Sequence, residues 1–342
     1  MEEAPIDGRP TVATKPPPRL LRDNVDPSIR KYKQLKVSGP DLADPPDILF
    51  ELKKLKFLDL SPERETCLHF KLMKVPRRIA SLENLTFLCL GTNELTEIPV
   101  ELCGLVKLER LILSNNLLIT LPKEFRQLQR LQSLHLANNY FEEIPRTVFF
   151  LKNLEFLDAS DNKISRIPRD VGNLVKLHTL LLYFNLLSTL PEELGNCLNL
   201  HTVWLGMNSL LSLPRCFGGL KHLDWADQPL SSNLDGNPLE TPPIEVCLQG
   251  PDAIADFFET NPRAVAYTTG FTAEEDKKDC ERAHSDDEAP TAFTAMSPAD
   301  LNSSGSWSVE SSQSFPGAGR RAADRGFGGP IAVIHHRKGK RK

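Results

Sequence analysis

A histidine and an aspartate 23 residues apart, His135 and Asp158, are the side chains best suited to acid/base chemistry. A histidine beside a carboxylate can act as a general base when a nucleophile lies within hydrogen-bonding reach. No nucleophile is expected in register with this pair, so we interpret it as a surface ion pair. Cys67 and His69 are candidates for a metal, but two ligands are too few for a closed site. The adjacent pair His335–His336 has the same shortcoming.

Sequence motifs of the common enzyme classes are absent from the chain. It contains no G-x-x-x-x-G-K phosphate loop, no H-E-x-x-H zinc motif and no G-x-S-x-G nucleophile turn. We therefore expect a protein that is not an enzyme, with no cofactor and no bound metal.

The stretch from Leu85 to His222 repeats itself every 23 residues, with no slip in the spacing. Each unit follows the pattern L-x-x-L-x-L-x-x-N-x-L-x-x-L-P-x-x-L-x-x-L-x-x. The six units begin at Leu85, Leu108, Leu131, Leu154, Leu177 and Leu200. The fifteenth position is always proline: Pro99, Pro122, Pro145, Pro168, Pro191 and Pro214. A fixed period of 20–29 residues with this pattern is typical of a leucine-rich-repeat solenoid.

The spacing within a unit has a direct physical interpretation. The segment x-L-x-L-x predicts a short strand whose two leucines, Leu134 and Leu136 in the third unit, point to one side. Ser133 and His135 then point to the other side. The proline after position 14 favours an extended or turn backbone on the opposite surface, and 23 residues leave little room for a full helix. The predicted fold is an α/β horseshoe with a parallel sheet on its concave face and short turns or 3₁₀ segments on its convex face.

The asparagine at position 9 is placed where the chain must turn after each strand. Its side-chain amide can satisfy backbone groups that the turn leaves unpaired, and stacking of the units then produces a ladder of asparagines. The ladder continues into a disturbed seventh unit, and its members are Asn93, Asn116, Asn139, Asn162, Asn185, Asn208 and Asn237. Because one unit cannot bury its own apolar face, the stack of units provides the core.

The ends of the chain depart from the regular pattern. We predict a disordered arm over 1–31, a repeat domain over 32–259 with a degenerate first repeat, and a disordered tail over 260–342. About nine repeats are expected, closed by a capping helix over 251–259. Two insertions, Ser61–Lys71 and Asp227–Asn233, are each either a tolerated loop or a contact loop.

The outward positions of the strands are unusually apolar for a surface that meets water. Aromatic and aliphatic residues on neighbouring strands predict a protein-docking surface on the concave face. Its predicted residues are Phe87, Arg110, Ile112, His135, Phe156, Asp158, Leu181, Tyr183, Phe184, Trp204 and Met207. Replacement of Tyr183 and Trp204 by alanine is expected to abolish partner capture and leave the thermal stability nearly unchanged.

Charge and cysteine usage give only a coarse indication of partner and compartment. The net charge of −4 does not indicate a particular class of partner. The seven cysteines include no C-x-x-C pair. The acidic, polar start is unlike a signal peptide, and no stretch has the roughly 18 apolar residues of a membrane span. We expect a monomer in the cytoplasm or the nucleus. Ser285 precedes an acidic run and resembles a phosphorylation site, and a basic segment ends the chain.

The regular units resemble the short, cytosolic Ras-group class of leucine-rich-repeat proteins, which includes the Shoc-type scaffold and the Ras-suppressor protein. The resemblance rests on the ending L-P-x-x-L-x-x-L, as in Leu121–Leu128, and on Asn237-Pro-Leu before the terminal helix. It implies a scaffold that holds small GTPases, phosphatases or cytoskeletal partners. Our first hypothesis is therefore a scaffold for a protein partner. The alternatives are a regulatory subunit that recruits a phosphatase or small-GTPase pathway enzyme, and a nuclear or RNA-associated binder that uses the basic C-terminus, although nucleic acid is the less favoured partner.

Overall fold

The fold is taken from a computed structural model that describes residues 33–37, 39–62, 70–225, 231–262, 264 and 332–334. The expected arm over 1–31 and most of the expected tail, with Ser285 and the basic C-terminus, lie outside the described residues. So do 63–69 and 226–230, which make up most of the two predicted insertions.

The described part of the chain contains one parallel sheet in which successive repeats provide successive strands. The strands are β1 Gln34–Val37, β2 Phe57–Asp59, β3 Phe87–Cys89, β4 Arg110–Ile112, β5 Ser133–His135, β6 Phe156–Asp158, β7 Thr179–Leu181, β8 Thr202–Trp204 and β9 Ala332–Ile334. From β3 to β8 the paired residues are 23 positions apart, as with Leu111 and Leu134. The predicted leucine-rich-repeat solenoid is therefore confirmed.

The strand β9 occupies the edge of the sheet beside β1, with Leu35 opposite Ala332. The sequence does not predict this strand, because it lies within 260–342, where no regular structure was expected. The pairing supplies main-chain hydrogen-bond partners to the edge of β1 that the repeats leave open.

The middle residue of each repeat strand and the apolar residue just after the strand point into a continuous core; the latter is leucine in most units and Ala159 after β6. Leu134 is fully buried and Leu136 is 1% exposed, and the equivalent residues of the other units are buried in the same way. Burial of each such side chain contributes about 1.5–3 kcal/mol before entropy is counted. The alternation along three-residue strands leaves most of their outer residues half-buried on the other face of the sheet, where a partner can reach them, whereas Ser133 and Leu181 are buried there.

A 3₁₀ turn lies on the opposite side of each repeat and follows directly after a proline. The turns span Asp47–Glu51, Arg77–Ser81, Val100–Gly104, Lys123–Gln127, Arg146–Phe150, Arg169–Asn173, Glu192–Asn196 and Arg215–Gly219. Pro122, for example, is extended (φ −64°, ψ 151°) and its carbonyl accepts the N–H of Phe125 at 2.9 Å. Proline is suited to this place because its fixed φ matches the extended entry to the turn.

Short helices close both ends of the described repeats. The helix α1 Pro40–Ala43 follows β1, and α2 Ile244–Cys247 and α3 Pro251–Thr260 follow the last repeat. The helix α3 covers the end of the core with Ile254 and Phe258, which are both buried. It approaches the last 3₁₀ turn closely because Gly218 has no side chain: a Cβ there would lie 2.8 Å from that of Ala255.

Candidate functional site

The asparagine ladder ties each turn to the strand end of the preceding repeat. The amide nitrogen of Asn139 donates to the carbonyls of Leu113 (3.1 Å) and Leu136 (2.9 Å). Its Oδ1 accepts the N–H of Leu118 at 3.0 Å. Asn237 in the disturbed repeat makes equivalent contacts to Leu205, Leu234 and Leu210, so the ladder extends beyond the insertion. These side chains are committed to backbone groups and are unavailable to a partner.

The N-terminal half of the concave face combines an aromatic pair with an ion pair. The rings of Phe57 and Phe87 stack with centroids 4.1 Å apart. Beside them, Lys36 Nζ lies 3.0 Å from Asp59 Oδ2. Burial, and secondarily the negative charge of Asp59, raises the pKa of the Cys89 thiol to about 12. Because the thiolate is the reactive form, Cys89 is suited to contact and not to nucleophilic chemistry.

His135 is held by a residue of its own strand. Its Nε2 lies 2.9 Å from the hydroxyl of Ser133, and its ring packs on Phe156 with centroids 4.7 Å apart. Burial, and secondarily the positive charge of Arg110, lowers the pKa of His135 to about 4. An imidazole with so low a pKa is a poor proton acceptor near neutral pH, so this contact positions the side chain.

The predicted ion pair between His135 and Asp158 is wrong. The two residues are paired across β5 and β6, yet Asp158 Oδ1 accepts the backbone N–H of Ser160 at 3.1 Å. Burial raises the pKa of Asp158 above its ordinary value. Desolvation of both groups therefore disfavours the two charges that an ion pair would need.

Position 8 of each unit adopts a left-handed backbone conformation that the sequence analysis missed. Its φ lies between 53° and 61° in all six units, at Thr92, Asn115, Asn138, Asp161, Phe184 and Met207. Asparagine and aspartate tolerate this conformation, whereas large side chains rarely adopt it. The recurrence of Asn115, Asn138 and Asp161 was the available sequence signal. Phe184 and Met207 are large apolar residues at the same position and depart from this pattern.

The two exceptions lie on adjacent repeats and are exposed. Phe184 is 50% exposed and Met207 is 40% exposed. The ring of Tyr183 meets that of Phe184 edge-on, with centroids 4.8 Å apart. Gly236 makes room for Met207, since a Cβ at that position would lie 2.4 Å from its sulfur. We call Tyr183, Phe184 and Met207 the apolar rim, because they follow strands β7 and β8 at one margin of the sheet.

Two other residues predicted for the docking surface, Trp204 and Leu181, mainly make contacts within the folded chain. The indole N–H of Trp204 donates to the carbonyl of Ser231 at 2.7 Å, and Trp204 also pairs with Asn233. Leu181 is only 8% exposed. Trp204 thus holds the disturbed repeat in place, and its replacement by alanine is no longer expected to leave stability unchanged.

Comparison with known proteins agrees with this architecture. Models of the leucine-rich-repeat family match residues 107–128 and 129–187. A leucine-rich-repeat protein of Leptospira interrogans is 31% identical, with a TM-score of 0.55, and the match covers 66% of this chain and 55% of that one. A plant peptide hormone receptor, solved in complex with its peptide, is 25% identical with a TM-score of 0.48, over 63% of this chain and 34% of the receptor. No curated protein matches the chain.

The chain thus folds as a leucine-rich-repeat solenoid, and leucine-rich-repeat models match two of its segments. Domains with this fold are generally non-catalytic surfaces for protein interaction. The chain spans about half the length of the Leptospira protein and about a third of the plant receptor. Within the described residues, no helix is long and apolar enough to cross a membrane, and no three His, Cys, Asp or Glu side chains form a ready metal site.

Proposed function

We propose that the protein is a non-catalytic scaffold that binds a protein partner on the concave face of its sheet, with the apolar rim as the main contact. The observation that carries the proposal is the exposure of Phe184 and Met207 in left-handed backbone, where four sister units have Thr, Asn or Asp. An asparagine would suit the backbone and the solvent better at both positions.

Energetic considerations support this choice of contact. A large side chain in left-handed backbone costs about 1–2 kcal/mol, and exposure of an aromatic ring to water recovers none of that cost. Clusters of rigid aromatic and methionine side chains are typical of the centres of protein interfaces. The neighbouring His135 and Phe156 extend the surface toward the middle of the sheet.

The class of partner follows from the resemblance of the regular units to Ras-group proteins. We propose an intracellular signalling role in which the partner is a small GTPase, a phosphatase or a cytoskeletal protein. A regulatory subunit that recruits a phosphatase or GTPase-pathway enzyme is the second candidate, since the same surface would serve it. Binding of nucleic acid through the basic C-terminus stays a prediction, because that segment lies outside the described residues.

Site-directed photo-crosslinking tests the proposal and names the partner in one step. A photoreactive phenylalanine analogue at position 184 should yield a discrete adduct with one protein from cell extract. The matched probe at Val175, which is also about half exposed but precedes strand β7, should yield none. Equal adducts from both positions would contradict the assignment of the docking surface.

A further inference from the structure

The apolar rim lies in a row of residues that occupies the same position of successive repeats. Each residue of the row donates its backbone N–H to a carbonyl of the next repeat. Asp161 donates to the carbonyl of Tyr183 at 2.8 Å, and Met207 donates to that of Asp235 at 2.7 Å. Phe184 and Met207 are therefore flanked along the row by Asp161 on one side and by Asp235 on the other.

The two flanking carboxylates are exposed and make few contacts within the chain. Both Asp161 and Asp235 are exposed to solvent. Among the described residues, none donates a hydrogen bond to the carboxylate of Asp161 or pairs with its charge. The carboxylate of Asp235 accepts one side-chain hydrogen bond, from Asn233 Nδ2 at 2.8 Å. Both carboxylates thus keep acceptor capacity for a partner.

The repeats around the rim contain no lysine or arginine in their strands or in the turns after them. The segments 154–161, 177–184 and 200–207 hold three carboxylates and no lysine or arginine. Lys163 follows Asp161 closely in sequence, but its ammonium lies over the ring of Tyr140 on the preceding repeat, 5.0 Å from the centroid. The rim is therefore an apolar surface in an acidic setting, which complements a partner segment of positive charge.

The row has a different character in the repeats that precede Asp161. Asn138 Nδ2 donates to Asn115 Oδ1 at 2.8 Å, so these two side chains of the row bind each other. The strand β4 begins with Arg110 directly after Glu109, so the two charges balance there. The acidic and apolar part of the row thus begins at Asp161.

The spacing of the row sets the register of a bound segment. Neighbouring repeats are about 4.8 Å apart, so Asp161 and Asp235 are separated by about 14 Å along the row. In an extended segment alternate side chains share one face, and side chains i and i+4 are about 13 Å apart. We propose that the partner presents an extended segment with basic residues at i and i+4 and an apolar residue at i+2, an inference that rests on the proposed docking at the rim.

The chemistry of each position follows from this register. The two basic side chains face Asp161 and Asp235, and the apolar side chain packs against Phe184 and Met207. Arginine suits the position beside Asp161 better than lysine, because its planar guanidinium can bind the carboxylate and lie on the ring of Phe184 at the same time. Enclosure of these pairs by the apolar contact shields them from water and strengthens them.

Selection of phage-displayed random peptides on the full chain tests the proposal with a defined probe. Peptides that bind the wild type and are lost with Phe184→Asn and Met207→Asn together identify the rim binders. We expect these peptides to be enriched in the pattern basic-x-apolar-x-basic relative to the unselected library. Rim-dependent peptides without basic residues would overturn this inference and leave the proposed function intact. If no selected peptide depends on the rim, both the inference and the proposed function are contradicted.

A selected peptide, made synthetically, then measures the contribution of the carboxylate. Asp161→Asn should weaken its binding on the order of fivefold at about 50 mM NaCl, and less at about 300 mM NaCl, where screening reduces the attraction. Asparagine occupies the same position in two other units, so this variant is expected to fold. Glu97→Gln removes an exposed carboxylate three repeats away and should leave the affinity unchanged. Equal affinity of Asp161→Asn and the wild type would also overturn the inference.

Discussion

The ring of Tyr183 lies against the backbone of Gly206, at a place where an added Cβ would be 2.7 Å from Cε2 of the ring. The same Cβ would be 2.3 Å from Asn233 Oδ1 and 2.9 Å from the carbonyl oxygen of Asp235. A glycine here therefore lets Tyr183 and the disturbed repeat meet. This contact supports the apolar rim, because Phe184 is positioned by the edge of the Tyr183 ring.

Gly206→Ala should destabilise the protein by about 1–3 kcal/mol, because the ring or the turn of the disturbed repeat must move. Gly104→Ala is the matched control, since nothing lies within 4 Å of a Cβ at that position. Its effect should stay within about 1 kcal/mol. Urea denaturation followed by circular dichroism measures both changes, and equal stability of the two variants would contradict the packing described for Tyr183.

Asn139→Ala should reduce the free energy of unfolding by at least about 2 kcal/mol, because it leaves several buried backbone groups without partners. Asn153→Ala is a control of the same residue type: its amide donates to the Gln129 carbonyl at 2.7 Å in an exposed setting. Its cost should be under about 1 kcal/mol. If the two variants melt at the same temperature, the ladder is not the main restraint on the turns.

Trp204→Ala should destabilise the last repeats by about 2 kcal/mol or more, because the half-buried indole and its bond to the Ser231 carbonyl are both lost. Met207→Ala, which truncates a more exposed side chain in the next turn, should cost under about 1 kcal/mol. Thermal melts of the two variants distinguish a supporting role for Trp204 from the exposed role that the sequence predicts.

His135 should make the stability of the protein depend on pH below neutrality. Its pKa is about 4 in the folded chain and about 6.5 when unfolded, so the unfolded chain binds more protons between these values. The stabilising contribution is complete above about pH 6.5 and is lost as the pH falls toward 4. His135→Gln should flatten this part of the profile, as measured by urea denaturation at pH 7.5, 5.5 and 4.5.

Asp158 acts in the opposite direction and is unchanged in that variant, since its pKa is raised in the folded chain. The informative quantity is therefore the difference between the wild type and His135→Gln at each pH. Parallel profiles of the two proteins would show that His135 titrates normally and is not buried.

The repeat period was enough to predict the strands, the turns and the concave face. A 23-residue spacing brings the same position of each unit to the same place, so Leu111 and Leu134 had to be neighbours. The period also predicted that the 3₁₀ turns follow prolines. The repeat period could not predict the contacts of residues that depart from the repeat pattern.

The candidate site depends on such departures. Trp204 looked exposed by its position, but residues of the disturbed repeat approach its indole, and an insertion has no register in the repeat. His135 and Asp158 had the spacing of a pair, yet hydrogen bonds to Ser133 and to the Ser160 backbone direct them apart. The left-handed backbone at Phe184 and Met207 is indicated only by Asn115, Asn138 and Asp161 at the same position of other units, because these two units lack asparagine or aspartate there.

The most direct test of the docking surface is the dissociation constant of the complex with the crosslinked partner, measured for a rim variant and a control. Phe184→Asn with Met207→Asn should weaken binding at least about tenfold while the melting temperature stays near that of the wild type. Val175→Asn with Leu198→Asn alters equally exposed apolar residues that precede β7 and β8, and should leave binding unchanged. Equal affinity of the two double variants would contradict the assignment of the apolar rim as the site of partner binding.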